Sequence, residues 1–121
     1  MNIYEYRKIM KNKDEILRIL REINKNPNLS QRSLASKVQF SLGKLNYCLN
    51  ALKIKGLIKI NNFKKNKNRF NPKSKNNYLY IITPKGIARK TELAINFLER
   101  KSKEYNEIKK ELLKEDKIKF D

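Results

Sequence analysis

Two short amphipathic segments, each preceded by a serine, follow one another near the middle of the chain. Ser30 and Ser41 suit helix caps, because a serine hydroxyl can accept a hydrogen bond from an unpaired amide of the first turn. The apolar residues after each serine recur at helical spacing: Leu34, Ala35 and Val38, then Leu45, Cys48, Leu49 and Leu52. Gly56 suits a left-handed end of the second helix. Only Gln39, Phe40 and Ser41 separate the two segments, so a helix-turn-helix is predicted.

A longer amphipathic segment precedes this unit. Asp14 and Glu15 place two acids in a first helical turn, where they suit the positive end of the helix dipole. The apolar residues that follow are spaced for one helical face: Ile16, Ile19, Leu20 and Ile23. The asparagine-rich stretch 24–28, which contains Pro27, ends the predicted helix. The pattern leaves open whether this helix extends back through Ile3 or follows a separate short helix.

Two strands are predicted after the helix-turn-helix. Leu57–Phe63 and Tyr78–Ile82 are rich in β-branched and aromatic residues, and they would pair as a small β-hairpin, the wing, spanning residues 57–82. The connection between the strands has Phe70 as its single apolar residue and is therefore expected to be an exposed loop. Its basic residues are Lys64, Lys65, Lys67, Arg69, Lys73 and Lys75.

A long helix is predicted over residues 84–119, with Thr83 as its cap and Pro84 in its first turn. Apolar residues near heptad spacing form one stripe along it: Ala94, Leu98, Tyr105, Ile108 and Leu112. A helix of about 30 residues is roughly 45 Å long, more than a small domain can cover with its own core. The stripe is therefore a candidate homodimer interface. The predicted fold is mainly α with a small β-hairpin, a winged helix-turn-helix plus a long C-terminal dimerisation helix, in a single domain of residues 1–121.

Positive charge is concentrated in the middle of the chain. The formal net charge is +18, and residues 23–91 contain sixteen Lys and Arg but no Asp or Glu. Codon bias in an AT-rich genome could explain abundant lysine, but it does not explain 69 residues without an acid when residues 92–121 use eight. This segregation predicts a polyanionic partner. Nucleic acid is favoured over a membrane because no strongly apolar amphipathic face accompanies the charge.

Composition excludes several classes of protein. The chain has no His and one Cys, which removes His-based catalysis, His-ligated zinc and an internal disulfide. The longest apolar run is Tyr78–Ile82, too short to span a membrane, and Met1–Lys13 lacks the apolar core of a signal peptide. We therefore expect a cytoplasmic, nucleoid-associated protein with no catalytic residue, no metal, no cofactor and no membrane partner.

Double-stranded DNA is the partner that the helix-turn-helix suggests. On the second helix, the residues opposite the apolar face, with the cap, are the predicted base-reading set: Ser41, Gly43, Lys44, Asn46, Tyr47 and Asn50. Asparagine can pair with adenine, and lysine can reach guanine or phosphate. Phosphate contacts are predicted for Ser30, Gln31 and Arg32, near the start of the first helix. The alternative is that these side chains form a solvated face.

The basic loop and the cysteine each have two interpretations. The loop is predicted to contact the DNA backbone or the minor groove, where Arg69 is the best candidate, and the alternative is an unstructured tether. Cys48 could be a redox sensor. Its place between Leu45 and Leu49 on the apolar face favours a small buried residue instead.

Several segments of the chain resemble the MarR-type winged-helix regulators. They are NLSQRSLASKV at 28–38, SLGKLNYCLNAL at 41–52, KGLI at 55–58 and YIITPKG at 80–86. The string SLGKLNYC in particular is similar to the small branch described as EPS-associated, found near exopolysaccharide genes. The resemblance covers about residues 14 to 105. It implies a dimeric bacterial or archaeal DNA-binding transcription regulator, with residues 14–86 as the DNA-binding core; it assigns no small-molecule effector.

An RNA-binding module, or a protein-docking module without operator specificity, remains an alternative. RNA recognition by base stacking needs several aromatic side chains on one basic face. Tyr47, Phe63 and Phe70 are the candidates that the sequence offers.

Overall fold

The computed structural model describes residues 2–4, 7–8, 12–62 and 78–115. Within these ranges the chain is mainly helical. Its elements are, in order, α1 (Lys13–Lys25), α2 (Gln31–Val38), α3 (Leu42–Ile54), β1 (Ile58–Asn62), β2 (Tyr78–Ile82) and α4 (Pro84–Lys114). The two strands pair antiparallel, with Ile58 opposite Ile82 and Ile60 opposite Tyr80. The predicted winged helix-turn-helix with a long C-terminal helix is confirmed.

Side-chain caps set the starts of the helices. The hydroxyls of Ser30, Ser41 and Thr83 accept hydrogen bonds from the amides of residues 33, 44 and 86, at 3.0, 3.1 and 3.0 Å. These three caps are those predicted. Asn12 caps α1 by accepting from the amide of Glu15, at 3.2 Å. Because the backbone of Asn12 is not helical, α1 does not continue into the helical residues at 3–4 and 7–8.

The turn between α2 and α3 is tight and left-handed. Gln39 has φ 62° and ψ 41°, and the amide of Phe40 bonds the carbonyl of Ala35 at 2.9 Å. Arg18 on α1 donates to the carbonyl of Val38 at 3.2 Å, at the end of α2. The helix-turn-helix is therefore held both by its own backbone and by α1.

The end of α3 differs slightly from the prediction. Gly56 has φ 76°, and its amide donates to the carbonyl of Lys53 at 3.0 Å. The amide of Leu57 donates to the carbonyl of Leu52 at 2.9 Å. This is the Schellman arrangement. It confirms the predicted left-handed stop, but it also uses Leu57 to close the helix, so β1 begins at Ile58 rather than at Leu57. Phe63, the predicted end of the strand, lies outside the described residues.

One apolar core joins all the elements. α1, α2 and α3 each contribute their predicted inner faces, and the strands add Ile58 and Tyr80. From α4, Leu93 is buried, and Ala94 and Phe97 pack partly against the core. This contact covers only the N-terminal half of α4, a helix of 31 residues. The structure ends α4 at Lys114 with Glu115 as its C-cap, short of the predicted end near Lys119; residues 116–119 lie outside the described residues.

The base of the wing is closed by hydrogen bonds. The amide of Thr83 donates to the carbonyl of Leu57 at 3.0 Å, and its hydroxyl donates to the carbonyl of Gly56 at 2.6 Å. The amide of Tyr80 donates to the carbonyl of Pro27 at 2.9 Å, which ties β2 to the turn after α1. Among the helices that the structure describes, none combines the length and apolarity needed to cross a membrane.

Candidate nucleic-acid interface

The outer face of α3 is the centre of the candidate interface. Gly43, Lys44, Asn46, Tyr47 and Asn50 are all exposed, while the opposite face of the helix lies in the core. Tyr47 is 48% exposed, so its ring and hydroxyl are accessible on this face. The structure therefore brings the predicted base-reading side chains together on one solvent-facing surface.

The start of α2 lies beside this surface. The side-chain amide of Gln31 donates to the side-chain oxygen of Asn46 at 3.3 Å, linking α2 to α3. Ser30 accepts from the amide of Ser33 and donates to its hydroxyl at 2.9 Å, so Ser30 caps α2 in the absence of DNA. Arg32 is exposed. The predicted phosphate-binding residues are thus adjacent to the predicted base-reading residues.

Lys44 on α3 forms an ion pair with a residue of α1. Its ammonium Nζ lies 2.6 Å from a carboxylate oxygen of Glu15 on α1 and 4.3 Å from the centre of the Phe40 ring. The other carboxylate oxygen of Glu15 accepts a hydrogen bond from Asn12. From the sequence, Glu15 is expected only to stabilise the start of α1 through the helix dipole. No local sequence signal identifies this contact, because it joins residues of two helices.

A cleft of about 550 Å³ lies between the start of α1 and α3. It is lined by Lys8, Asn12, Glu15, Ile16, Gly43, Lys44, Tyr47 and Cys48. Cys48 is 3% exposed, which confirms the predicted buried position. Burial, and secondarily the charge of Glu15, raise the pKa of its thiol to about 11, so Cys48 is protonated at neutral pH.

The predicted contacts of the wing fall mostly outside the described residues. Lys64, Lys65, Lys67, Arg69, Lys73 and Lys75 all lie in the segment 63–77. At the base of the wing, Lys59 and Asn61 are exposed on β1. On this outer face β1 therefore contributes polar and basic side chains, whereas β2 contributes the apolar residues Leu79 and Ile81 opposite them.

The predicted apolar stripe of α4 is mostly exposed. Leu98, Tyr105 and Ile108 are 64%, 57% and 53% exposed, whereas Ala94 and Leu112 are half-buried. Ala94 packs partly against the core of its own chain. Near the start of this stripe, Arg100 forms an ion pair of 2.5 Å with Asp14 on α1, and its hydrogen bond holds the pKa of that carboxyl below its usual range.

Comparison with known proteins supports the fold of this interface. Residues 14–59 match the model of a protein family described as winged helix-turn-helix DNA-binding. The match spans α1, α2, α3 and the beginning of β1. This part of the chain is therefore similar to that family. No curated protein sequence matches the chain.

Solved structures of transcriptional regulators share the fold. The repressor CouR, bound to a 23-mer DNA duplex, superposes with a TM-score of 0.59 at 18% identity over 76% of this chain and 59% of CouR. A mutant of MepR from S. aureus gives 0.59 at 17% identity over 92% and 84%. A MarR-family regulator from Silicibacter pomeroyi gives 0.57 at 16% identity over 84% and 65%. The chain thus spans less than two thirds of the length of CouR and of the S. pomeroyi protein.

Proposed function

We propose that this protein is a sequence-specific, double-stranded-DNA-binding transcriptional regulator that acts as a homodimer. The observation that carries the proposal is the outer face of α3, which exposes Asn46, Tyr47 and Asn50 in a helix-turn-helix. This helix lies within the 69 residues that contain no acid. A second helix of this kind enters the major groove and reads base edges with its exposed side chains. No enzymatic activity is proposed.

The contacts divide between reading and anchoring. Asn46 and Asn50 can each pair with adenine, and Tyr47 can contact a thymine methyl group or a phosphate. Ser30, Gln31 and Arg32 are placed to meet phosphates beside the groove. The lysines of segment 63–77 would add backbone contacts, with Arg69 in the minor groove. In this division residues 14–86 form the DNA-binding core and residues 84–119 the dimerisation helix.

A homodimer explains the exposed half of α4. Leu98, Tyr105 and Ile108 leave an apolar stripe in water beyond the part of the helix that the core covers. A second copy of the same helix would bury the stripe by two-fold symmetry. The two recognition helices of such a dimer would face half-sites about 34 Å apart, one turn of DNA.

The similarity of the string 41–48 to the EPS-associated branch makes exopolysaccharide genes the first targets to test. A regulator of this class acts on chromosomal DNA, so we place it in the cytoplasm, at the nucleoid. The high net positive charge of residues 23–91 supports such an association.

Selection of genomic fragments by the purified protein at physiological salt tests the proposal. We expect enrichment of a few promoter fragments that share an inverted repeat. The same protein is then titrated with the selected duplex, a random duplex, single-stranded DNA and an RNA hairpin at equal salt. Preference for the RNA hairpin, or retention of fragments without sequence enrichment, would contradict operator binding and support the RNA-binding or protein-docking alternative.

A further inference from the structure

Lys44 is the charged residue on the outer face of α3, and Glu15 holds it. The distance between the ammonium and the carboxylate is 2.6 Å, shorter than most exposed ion pairs. The Lys44 side chain also lies over the ring of Phe40, in the turn of the helix-turn-helix. The ammonium group of Lys44 is therefore already paired within the protein.

The carboxylate of Glu15 is fixed from its other side. Asn12 donates to it and also caps the helix on which it stands. The Glu15 side chain is only 21% exposed, against 49% for Lys44. Glu15 is thus the anchored partner of the pair, and Lys44 is the partner that can turn toward solvent.

A carboxylate beside the α3 surface is unexpected in this chain. Residues 23–91, which include α2, α3 and the wing, contain no acid, so the carboxylate has to come from outside this range, and α1 supplies it. A phosphate of DNA and the carboxylate of Glu15 are chemically alike as partners for an ammonium group. Each can accept hydrogen bonds from Lys44, and they cannot both hold it in the same position.

We propose that Glu15 competes with DNA for Lys44 and thereby lowers the affinity of the protein for duplex DNA. The proposal rests on the proposed DNA-binding function and deepens it. In the free protein Glu15 neutralises Lys44. A phosphate or a guanine that engages Lys44 must first break the ion pair, so part of the interaction energy is lost.

Removing the carboxylate should strengthen binding. Exposed ion pairs contribute about 0.2 to 1 kcal/mol, so Glu15→Gln should raise affinity for a random duplex roughly 1.5- to 5-fold for each subunit that contacts the DNA. It should also steepen the dependence of log K on log salt by about 0.9 per subunit, since one more cation neutralises a phosphate. Glutamine keeps an oxygen that can accept from Asn12, which preserves the local shape.

A double-mutant cycle separates this effect from general charge removal. Glu15→Gln is made in the wild-type chain and in a Lys44→Met background, where methionine keeps the apolar stem over Phe40. We expect the gain in affinity and in salt slope to vanish in that background. Glu22→Gln is the matched control, because Glu22 lies on the same helix, has the same 21% side-chain exposure and pairs with Lys25. Any effect of Glu22→Gln on affinity or on the salt slope should be the same in the wild-type chain and in the Lys44→Met background.

Acetylation of Lys44 without DNA gives an independent measurement. An amine-reactive acetylating reagent followed by peptide mass spectrometry compares Lys44 with Lys53, an exposed lysine on the same helix. Lys44 should react more slowly than Lys53 in the wild-type chain, and Glu15→Gln should remove the difference. Equal rates in the wild-type chain would overturn the proposed restraint.

The outcomes distinguish this inference from the function on which it rests. If the wild-type chain binds duplex DNA but Glu15→Gln has the same effect with and without Lys44, competition by Glu15 is overturned and DNA binding stands. If the wild-type chain binds no duplex DNA, the proposed function and the competition are both overturned, while the acetylation difference still reports the ion pair.

Discussion

Gly86 has less room for an added Cβ atom than Gly43 or Gly56. It lies in the first turn of α4, and a Cβ atom there would collide with the carbonyl oxygen of Leu57 and come within 2.7 Å of a methyl group of Ile82. Glycine at this position lets the start of α4 lie directly on the closed base of the wing. The sequence shows a glycine after Thr83 and Pro84, but the need for it arises from a tertiary contact that no local pattern contains.

Gly86→Ala should therefore lower the free energy of unfolding by about 1 to 3 kcal/mol, the range of overpacked core substitutions. Gly43→Ala is the control, because nothing lies within 4 Å of its added methyl group. It should stabilise α3 by roughly 0.5 to 1 kcal/mol through helix propensity. Urea denaturation of both variants measures the two changes. Equal stability of Gly86→Ala and the wild-type chain would show that α4 does not approach Leu57 so closely.

Cys48 supplies a pH-dependent prediction at the same scale. Its pKa is raised to about 11 by burial, above the ordinary value of about 8.5 in an unfolded chain. The native state therefore keeps its proton where the unfolded state loses it, and stability falls as pH rises from about 8.5 toward 11. A Cys48→Ala variant should lose less stability over this range. The wild-type thiol should also resist alkylation at pH 7 until denaturant is added. Rapid alkylation of the native chain would contradict its burial.

Asn46 on α3 is the residue with which to test base reading by this helix. Hydrogen bonds to base edges carry sequence information, whereas charges on phosphates do not. Asn46→Ala should weaken binding to the selected site by about 1 to 3 kcal/mol and relax preference at one position in each half-site. Binding to a random duplex and the salt slope should change little. Asn24→Ala, an exposed substitution on α1, is the control. Equal losses on both duplexes would show that α3 does not read bases.

The connection between β1 and β2 should anchor rather than read. Replacing three lysines together by alanine should weaken binding to all duplexes by similar factors; the three are Lys65, Lys67 and Lys73. The salt slope should flatten by roughly one unit for each lost phosphate contact in each subunit. Titrations of one selected and one random duplex at several salt concentrations measure both effects. A loss confined to the selected duplex would instead assign sequence reading to the wing.

The starts and ends of the helices could mostly be predicted, because they depend on interactions between residues close in sequence. Caps such as Ser30 and Ser41 and the left-handed Gly56 act within a few residues, so the sequence contains their signals. The start of β1 depended on whether Leu57 would close α3 or begin the strand, and the sequence did not show which would prevail. The contact of Glu15 with Lys44 depended on how α1 crosses α3, which periodicity does not define.

At the scale of the whole molecule, dimerisation is the central expectation. Leu98→Glu with Ile108→Glu should give a monomer in sedimentation experiments at tens of micromolar, because two carboxylates would have to be buried in the shared stripe. Truncation after Arg100 should have the same effect. Ile54→Glu is the control, because Ile54 is 68% exposed but lies at the end of α3, away from the stripe. A double variant that sediments like the wild-type chain would place the interface elsewhere.

Because hydrogen bonds close the base of the wing, the length of the connection between its strands is independent of the packing of the helices. The wing begins after Leu57 and ends before Thr83, and hydrogen bonds join Thr83 to Gly56 and Leu57. Residues inserted into or deleted from segment 63–77 would change the length of the connection that is proposed to contact DNA. They would leave the placement of α3 and α4 unaltered. The length of this connection sets the reach of the wing. The packing of the helices separately sets the placement of α3 relative to α4.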